Sequence, residues 1–494
     1  MSQPIADPQE SALAPFTAAG AGTPRLKLRF IGLYGLGDAV EVMINFALAN
    51  FLLFYLTIVC GMSGALAGLS GLIAICADAF IDPLVGSWSD NLRSRLGRRH
   101  PFLLGAPIPA ALALIALFSI PASLHGWGLF AYATGFSLLL RIGLSLFQVP
   151  YFAFGAEVTE NYTERSTIVA SRVAMGVIGT VIATLLSYRL FLAGPGGTTH
   201  RAGYLAFAIA FAAVLAVCGL VSGFGTLGHR ARLHAAPAHS QRMGGLARFA
   251  AEIAEIFRNR SFRILFSGCL ILFVGLGVAT PLTLYAYSYF WRLTAKAMGD
   301  LTLIYTGGLA GGIVVMSWLA SRLEKRTLAL AGLMLIFAGQ IAPVPLKLAG
   351  LIPSVSDGFI ALCFALVCVG AGSSAALIGF QSMMGDAADE HDQLFGARRE
   401  GLYFAGINLS AKASTGIGTL LSGLALDFIG FPHNSHAGAH VSAASVKALG
   451  LIYGPGASVL TFIAVVIMMG YGLSRARHAE IVQSLAASRP RNGA

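Results

Sequence analysis

Charged side chains are scarce in this chain. Asp, Glu, Lys and Arg make up 11% of its 494 residues, and 56% of the residues are hydrophobic. Soluble domains carry roughly 25% charged residues. The scarcity therefore excludes an ordinary soluble protein and indicates a chain that crosses a membrane many times. The net charge of +11 would suit nucleic acid, but the basic residues cluster in short loops, so no nucleic-acid partner is predicted.

Cysteines and catalytic motifs are sparse as well. The six cysteines fall in or beside apolar runs, so neither a disulfide framework nor a metal site is predicted. The apolar runs contain no HExxH or GxSxG motif and no cluster of histidines, which disfavours the alternative of a membrane-embedded enzyme. We therefore expect no enzyme, no metal and no cofactor.

Apolar runs long enough to cross a bilayer occur twelve times, each needing roughly 20 residues. Helices satisfy every backbone group in lipid, so the sequence predicts an all-α integral membrane protein with twelve transmembrane helices. The expected spans are about 30–58, 64–88, 101–122, 127–155, 167–192, 203–227, 262–290, 301–320, 328–347, 357–383, 400–430 and 444–473.

Most Lys and Arg residues lie in alternate loops, such as "RLKLR" before the first span and "RSRLGRR" after the second. The positive-inside rule then places both termini in the cytoplasm, and we expect the inner membrane of a bacterium. Residues 1–24 are rich in Ala, Pro and Gly and have no signal-peptide pattern, so a disordered cytoplasmic tail is predicted.

The longest loop, 228–261, divides the spans into two sets of six. We expect a six-helix bundle over 25–227, a cytoplasmic linker over 228–261, a second bundle over 262–473 and a cytoplasmic tail over 474–494. Two facing six-helix halves with pseudo-two-fold symmetry are typical of secondary transporters, which bind their substrates between the halves.

Two acids lie inside the second span, in "ADAFIDPLV". Asp78 and Asp82 are four residues apart, so they share one helix face with Cβ atoms about 6 Å apart. If both are ionised alone, their repulsion is about 3 kcal/mol at an effective dielectric of 20. Either a proton or a cation therefore binds to these acids, or a buried Arg or Lys neutralises each of them.

Three basic residues lie within predicted spans. Arg172, at the start of span five, and Lys412, in span eleven, can neutralise the two acids by forming ion pairs with them. If Lys412 and a bound cation compete for the same carboxylates, ion occupancy is coupled to the gap between the halves. Arg141, in span four, either faces the cavity or packs against Glu41 or Asp38 of span one.

Aromatic residues offer weaker indications of a substrate pocket. Tyr34 and Tyr151 are candidates for a pocket, with core packing as the equal alternative. The run "PLTLYAYSYFW" ends span seven and is typical of an aromatic belt at the membrane interface, with stacking on a sugar as the alternative.

Three long motifs, in order along the chain, resemble those of the glycoside–pentoside–hexuronide:cation symporters of the major facilitator superfamily. They are "DAFIDPLVGSWSDNLRSRLGRRHPFLL", "QVPYFAFGAEVTENYTERSTIVASR" and "SMMGDAADEHDQLFGARREGLYFAGINLSAKASTGIG". The resemblance covers nearly the whole chain. It implies the major facilitator superfamily fold, symport of a sugar or glycoside with H⁺ or Na⁺ by alternating access, and a monomer in the lipid bilayer. A relative that carries lysolipid leaves an amphipathic solute as the alternative small-molecule substrate.

The resemblance also implies residue roles. Asp78 and Asp82 match the family's cation-binding acids on the second helix. Arg172 matches its arginine on the fifth helix, and Lys412 matches its lysine on the eleventh. A basic loop after span two and a charged stretch before span eleven match the family's cytoplasmic gate, and their charged residues are Asp90, Arg95, Arg98, Arg99, Asp386, Asp389, Arg398 and Glu400.

The chain departs from the family at positions that concern the substrate and the ion. Val42 and Gln148 stand where sugar-binding acids are found, so recognition of galactosides by paired carboxylates is not expected. Gln148 can still hydrogen-bond a hydroxyl in both directions. Ile81 stands where sodium-using members often have Asn, which favours a proton, although Ser145 can supply another oxygen to a cation.

Overall fold

The computed structural model describes residues 26–159, 161–193, 197–232, 246–396, 399–433 and 441–488. Over these residues the regular secondary structure is helical, without a β-strand. The predicted N-terminal tail, 1–24, lies outside the described residues.

Twelve long helices run through the described part of the chain. The first six are α1 (Leu28–Leu52), α2 (Gly64–Asn91), α3 (His100–Phe118), α4 (Gly126–Glu157), α5 (Thr163–Phe191) and α6 (Arg201–His229). The second six are α7 (Arg260–Phe290), α8 (Ala295–Ala320), α9 (Lys325–Leu348), α10 (Val355–Phe395), α11 (Glu400–Phe428) and α12 (Ala443–Met469).

Eleven of these helices are long and apolar enough by themselves to span a membrane. Helix α11 is the exception, because it carries the polar stretch "NLSAKASTG". Part of this polarity joins helices within the bundle: the Ser414 hydroxyl donates to the carbonyl of Leu270 at 2.9 Å, and the Ser422 hydroxyl donates to the carbonyl of Val278 at 3.0 Å. These two serine hydroxyls of α11 are therefore satisfied by backbone carbonyls of the neighbouring helix α7.

The two sets of six helices have the same internal packing. In the first set, α1 packs against α5 and α6, α4 packs against α2 and α3, and α3 packs against α6. In the second set, α7 packs against α11 and α12, α10 packs against α8 and α9, and α9 packs against α12. Each contact in the second set repeats one in the first, six helices later. The fold is therefore that of two six-helix halves with pseudo-two-fold symmetry, as predicted.

The two halves meet along α2 and α11, along α5 and α8, and along α1 and α7. The contact between α2 and α11 requires glycine: a Cβ added to Gly423 would lie 1.9 Å from the carbonyl oxygen of Gly64. The carboxylate of Asp427 accepts hydrogen bonds from the backbone N–H groups of Gly64 and Ala65, both at 2.7 Å. We call this end of the molecule, where α2 begins and α11 ends, the closed end.

The opposite end carries the basic loops after α2 and α8, and we call it the basic end. Two further helices belong to it. One, Leu246–Arg258, lies within the predicted linker, and the other, Arg475–Ser488, lies within the predicted C-terminal tail. The second packs against α10, where Ile481 is buried and His478 Nε2 lies 3.1 Å from Asp389 Oδ2.

The structure corrects the prediction of an aromatic belt at the end of α7. Tyr285, Tyr287 and Trp291 are buried. The hydroxyls of Tyr285 and Thr57, which belong to different halves, are 2.5 Å apart. The aromatic residues are buried because the two halves meet at the closed end, where α7 ends.

Candidate functional site

A cavity of about 360 Å³ lies among α1, α2, α4, α7 and α11, between the two halves. Its ionisable lining residues are Glu41, Asp78, Arg141 and Lys412, and Gln148 lies among them. We call it the charged cavity. Ionisable groups inside a membrane protein are costly unless they face one another or water, and they mark ion and substrate pathways.

One carboxylate oxygen of Asp78 accepts a hydrogen bond, and the other has no hydrogen-bond partner among the described residues. Its side chain is buried, and its Oδ2 accepts a hydrogen bond from Arg141 Nη1 at 3.2 Å. The same nitrogen donates to Asn45 Oδ1 at 3.4 Å. Oδ1 of Asp78 has no hydrogen-bond partner among the described residues. A buried acceptor without a donor is unfavourable, so this oxygen is a position that a proton or Na⁺ can occupy.

Asp82 lies one turn further along α2 and forms an ion pair with Lys412 of α11. The pair joins the two halves. Both side chains are partly exposed, 29% for Asp82 and 44% for Lys412. Because both side chains are partly exposed, breaking this pair costs less than breaking a fully buried pair.

The two acids thus face two different bases, one from each half of the protein. The expectation that Arg172 neutralises Asp78 or Asp82 is wrong, because its Nε donates a hydrogen bond to Asp38 Oδ1 of α1 at 2.9 Å. Arg141 faces the cavity, but its ionic partner is Asp78 and neither Glu41 nor Asp38. The reason is helix packing, since α5 contacts α1, whereas α2 contacts α4 and α11.

Arg172 lies in an aromatic setting outside the charged cavity. Its guanidinium carbon is 4.2 Å from the ring centre of Phe152, a favourable cation–π geometry. Its partner Asp38 lines a separate cavity of about 300 Å³ between α1, α5 and α8, together with Val42. The pair therefore lines a cavity different from the one that contains Asp78.

Tyr34 and Tyr151 are core residues rather than pocket residues, so the structure supports core packing over the alternative of a substrate pocket. Both are 1% exposed, and their ring centres are 4.4 Å apart in a stacked arrangement. Each hydroxyl donates to the other residue's carbonyl, at 3.1 and 2.8 Å. Gly37 and Gly155 make room for them, since a Cβ on either would collide with a tyrosine ring or hydroxyl.

The structure separates the other two candidates of α4. Gln148 lines the charged cavity, and its Nε2 has no hydrogen-bond partner among the described residues. Ser145 is buried in α4 but is not among the residues that line this cavity. Its expected role as a cation ligand is therefore not supported by its position in this conformation.

Three of the four predicted gate residues of the first half, Asp90, Arg98 and Arg99, form one ionic cluster at the basic end. Arg99 Nη2 lies 2.5 Å from Asp90 Oδ1 and 2.6 Å from Glu157 Oε1. Arg98 Nη2 lies 2.8 Å from Glu157 Oε2, and Arg99 also donates to Ser89. Arg99 is buried. Arg95 is exposed, with no bond to another described side chain.

The predicted gate residues of the second half have partners in their own half. Asp386 accepts from Lys325 Nζ at 2.7 and 2.8 Å, and His478 lies 3.4 Å from Asp386 and 3.1 Å from Asp389. Glu400 is exposed at the start of α11, and Arg398 lies outside the described residues. The ion pairs described at the basic end therefore join elements within one half, unlike the pair of Asp82 and Lys412.

Comparison with known proteins shows the family of this chain. The family model described as MFS/sugar transport protein matches residues 33–475. The chain belongs to this family. It is 26% identical to an uncharacterized symporter of Synechocystis, over 93% of this chain and 96% of the relative. It is also 26% identical to the isoprimeverose transporter of Lactiplantibacillus pentosus, over 81% of this chain and 80% of the relative.

The fold has solved counterparts in the same superfamily. A crystal structure of a D-xylose-proton symporter superposes with a TM-score of 0.61 at 13% sequence identity, covering 90% of this chain and 97% of the symporter. The predicted fold class and the absence of enzymatic function are thereby confirmed: members of this family are transporters. The chain is an integral, multi-pass membrane protein, and the symporters among its relatives imply a coupling ion.

Several residues of these ionic clusters escaped the sequence analysis. The partners Asp38 for Arg172, Glu157 for Arg98 and Arg99, and Lys325 for Asp386 were not predicted. The available signal was an acid inside an otherwise apolar run, as in "LGDAVEVMINF" and "FAFGAEV". That signal marks a buried acid, but it does not say which base the acid meets.

Proposed function

We propose that this member of the family is a cation-coupled symporter that carries a sugar or glycoside into a bacterial cell across the inner membrane by alternating access. The observation that carries the proposal is the ion pair of Asp82 and Lys412, which joins the halves beside the charged cavity. Such a pair can be opened by a cation that binds the carboxylate instead of the ammonium. We also propose that the protein acts as a monomer.

The proposal assigns the basic end and both termini to the cytoplasm, because the positive-inside rule favours that orientation. The closed end then faces outward, where glycine contacts and Asp427 hold α2 against α11. The described ion pairs of the basic end remain within their own halves. This arrangement corresponds to the inward-facing state of an alternating-access cycle.

In the proposed cycle, H⁺ or Na⁺ occupies the carboxylates of Asp78 and Asp82 when the cavity faces outward. Occupancy weakens the hold of Asp82 on Lys412 and lets the halves rearrange around the bound sugar. After the ion and sugar leave on the cytoplasmic side, the ammonium of Lys412 returns to Asp82. The ion pair thus stabilises the empty carrier and allows it to return without an ion.

The proposal also gives the gate residues a role. The clusters of Glu157 with Arg98 and Arg99, and of Asp386 with Lys325, lie at the ends of the two halves that must meet when the basic end closes. We expect some of these ionic groups to exchange partners across the halves in the outward-facing state. Repeated exchange between two sets of ion pairs is a common device in switching transitions.

Uptake into proteoliposomes tests the function. Purified protein is reconstituted, and accumulation of radiolabelled D-xylose, D-galactose and methyl β-D-galactoside is followed under an inward Na⁺ gradient, an inward H⁺ gradient or neither. We expect accumulation of at least one sugar under one gradient only. The double variant Asp78→Asn, Asp82→Asn should lose accumulation, while Asp357→Asn, an exposed acid at the start of α10, should keep it. Accumulation by the double variant at the wild-type level contradicts the proposal.

A further inference from the structure

A second cavity, of about 230 Å³, lies on the other side of α1 from Asp78, among α1, α5, α7, α8, α9, α10 and α12. The described residues that line it include no Asp, Glu, Lys, Arg or His. Its walls combine aliphatic and aromatic side chains with threonine hydroxyls and two amides. We call it the neutral cavity.

Helix α1 separates the two cavities. Glu41 and Asn45, four residues apart, line the charged cavity, whereas Phe46 and Asn50, also four apart, line the neutral cavity. Residues four apart share one face of a helix. Helix α1 therefore presents one stripe to each cavity, and its stretch Leu48–Leu52 is π-helical, an irregularity that occurs frequently at functional sites.

The threonine hydroxyls of the neutral cavity offer acceptors to a ligand, whereas Tyr287, Tyr305 and Tyr453 carry O–H donors. Each threonine in its lining donates its own proton to the backbone carbonyl four residues earlier in its helix, at 2.8–3.1 Å. Asn50 Nδ2 likewise donates to Phe46 O at 2.9 Å, which leaves its Oδ1 as an acceptor. A hydroxyl that already donates its proton to a carbonyl can still accept a hydrogen bond through its lone pairs. These threonines are Thr180, Thr280, Thr283, Thr302 and Thr306.

Two N–H donors also belong to lining residues, beside the tyrosine hydroxyls. Trp291 is 1% exposed, and its Nε1 has no hydrogen-bond partner among the described residues. Gln340 Oε1 accepts from the hydroxyl of Thr461 at 3.0 Å, which fixes the amide and leaves its Nε2 protons for a ligand. A buried donor without a partner is uncommon in proteins.

We propose that the neutral cavity binds the uncharged ring of a monosaccharide or of one sugar unit, apart from the cation in the charged cavity. A sugar presents many O–H donors, which match the threonine acceptors, and apolar faces that can pack on Tyr287. No basic residue is among the described residues that line the cavity, so an anionic sugar acid would find no ion pair in its wall. The nearby ammonium of Lys347, 4.4 Å from the ring centre of Trp291, donates to the carbonyl of Phe290. The volume is also below the roughly 300–1,000 Å³ of pockets for drug-sized ligands. This inference rests on the proposed function and specifies its substrate class.

The neutral cavity connects toward the pair of Asp38 and Arg172. The side chains of Thr180, Tyr305 and Thr306 line both it and the cavity of about 300 Å³ that contains Asp38 and Val42. A sugar can therefore reach Trp291 past these residues without passing Asp78. In this arrangement ion and sugar occupy separate cavities, and both contact α1.

Tryptophan fluorescence tests the location directly. The chain has four tryptophans, and Trp88, Trp127 and Trp318 are 57, 73 and 56% exposed. Replacing these three by Phe leaves Trp291 as the single emitter. We expect D-xylose, D-glucose or D-galactose to shift or quench its emission saturably, while D-glucuronate does not.

Matched variants give the second measurement. Gln340→Leu removes the free amide at nearly constant size and should weaken sugar binding about tenfold, the order expected for one lost hydrogen bond. Gln393→Leu makes the same chemical change at an exposed site of the basic end and should have no effect. Gradient-driven sugar uptake without any response of Trp291, or with full affinity in Gln340→Leu, would overturn this inference and leave the proposed function standing. Failure of every sugar in both uptake and fluorescence would overturn both.

Discussion

Replacing Lys412 by Met should make the protein bind its coupling ion more tightly and transport less. In the structure the ammonium of Lys412 forms an ion pair with the carboxylate of Asp82. A cation that binds this carboxylate therefore has to displace the ammonium. The variant removes this competitor and keeps a side chain of similar length. A cation then meets Asp82 unpaired, beside the open Oδ1 of Asp78.

The size of the effect follows from the exposure of the pair. Two unit charges about 4 Å apart attract by about 4 kcal/mol at an effective dielectric of 20, whereas a fully exposed pair contributes about 0–1 kcal/mol. With 29 and 44% of the two side chains exposed, we expect a value between these limits, about 1.4 kcal/mol. That corresponds to a tenfold lower ion concentration for half-saturation, or about one pH unit if the ion is a proton.

Thermal unfolding of the purified protein measures this shift, because an ion that binds the folded state raises the unfolding temperature. NaCl is titrated against choline chloride at constant ionic strength, and a pH series is run without sodium. Lys447→Met, an exposed lysine at the closed end, is the control. The variant should also lose gradient-driven uptake, since the empty carrier no longer has its ion pair. Unchanged half-saturation in both titrations, with normal uptake, would refute the competition between Lys412 and the ion.

Two further predictions concern the ends of the molecule. Glu157→Gln should destabilise the protein by about 3 kcal/mol, because the buried Arg99 and the adjacent Arg98 lose a shared carboxylate, and breaking a buried pair costs about 3–5 kcal/mol. Glu480→Gln, in an exposed pair with Arg477, should cost below about 1 kcal/mol; equal unfolding temperatures for the two variants would contradict this. Gly423→Ala should prevent α2 and α11 from closing and abolish uptake, whereas Gly307→Ala, with no other atom within 4 Å of the added Cβ, should transport normally. Normal uptake by Gly423→Ala would show that the contact is not needed.

The sequence by itself determined the class of protein and the location of the buried acids. Apolar runs of sufficient length can only be spanning helices, because lipid offers no partner to a free backbone group. Twelve predicted spans correspond to twelve long helices, including α11, whose polar stretch makes it less apolar than the other eleven. The spacing of Asp78 and Asp82 placed both acids on one stretch of α2 for the same local reason, since a helix fixes which residues share a face.

Only the tertiary structure decided which base each acid meets and which aromatic residues line a cavity. Arg141 rather than Arg172 reaches Asp78, because α4 packs beside α2 while α5 packs beside α1. Tyr34 and Tyr151 bury each other, whereas Tyr287 and Trp291 line the neutral cavity. Sequence periodicity gives the faces of one helix, but the partner of a face depends on how helices far apart in the chain are rotated and shifted against each other. That information lies in the packing of all twelve helices.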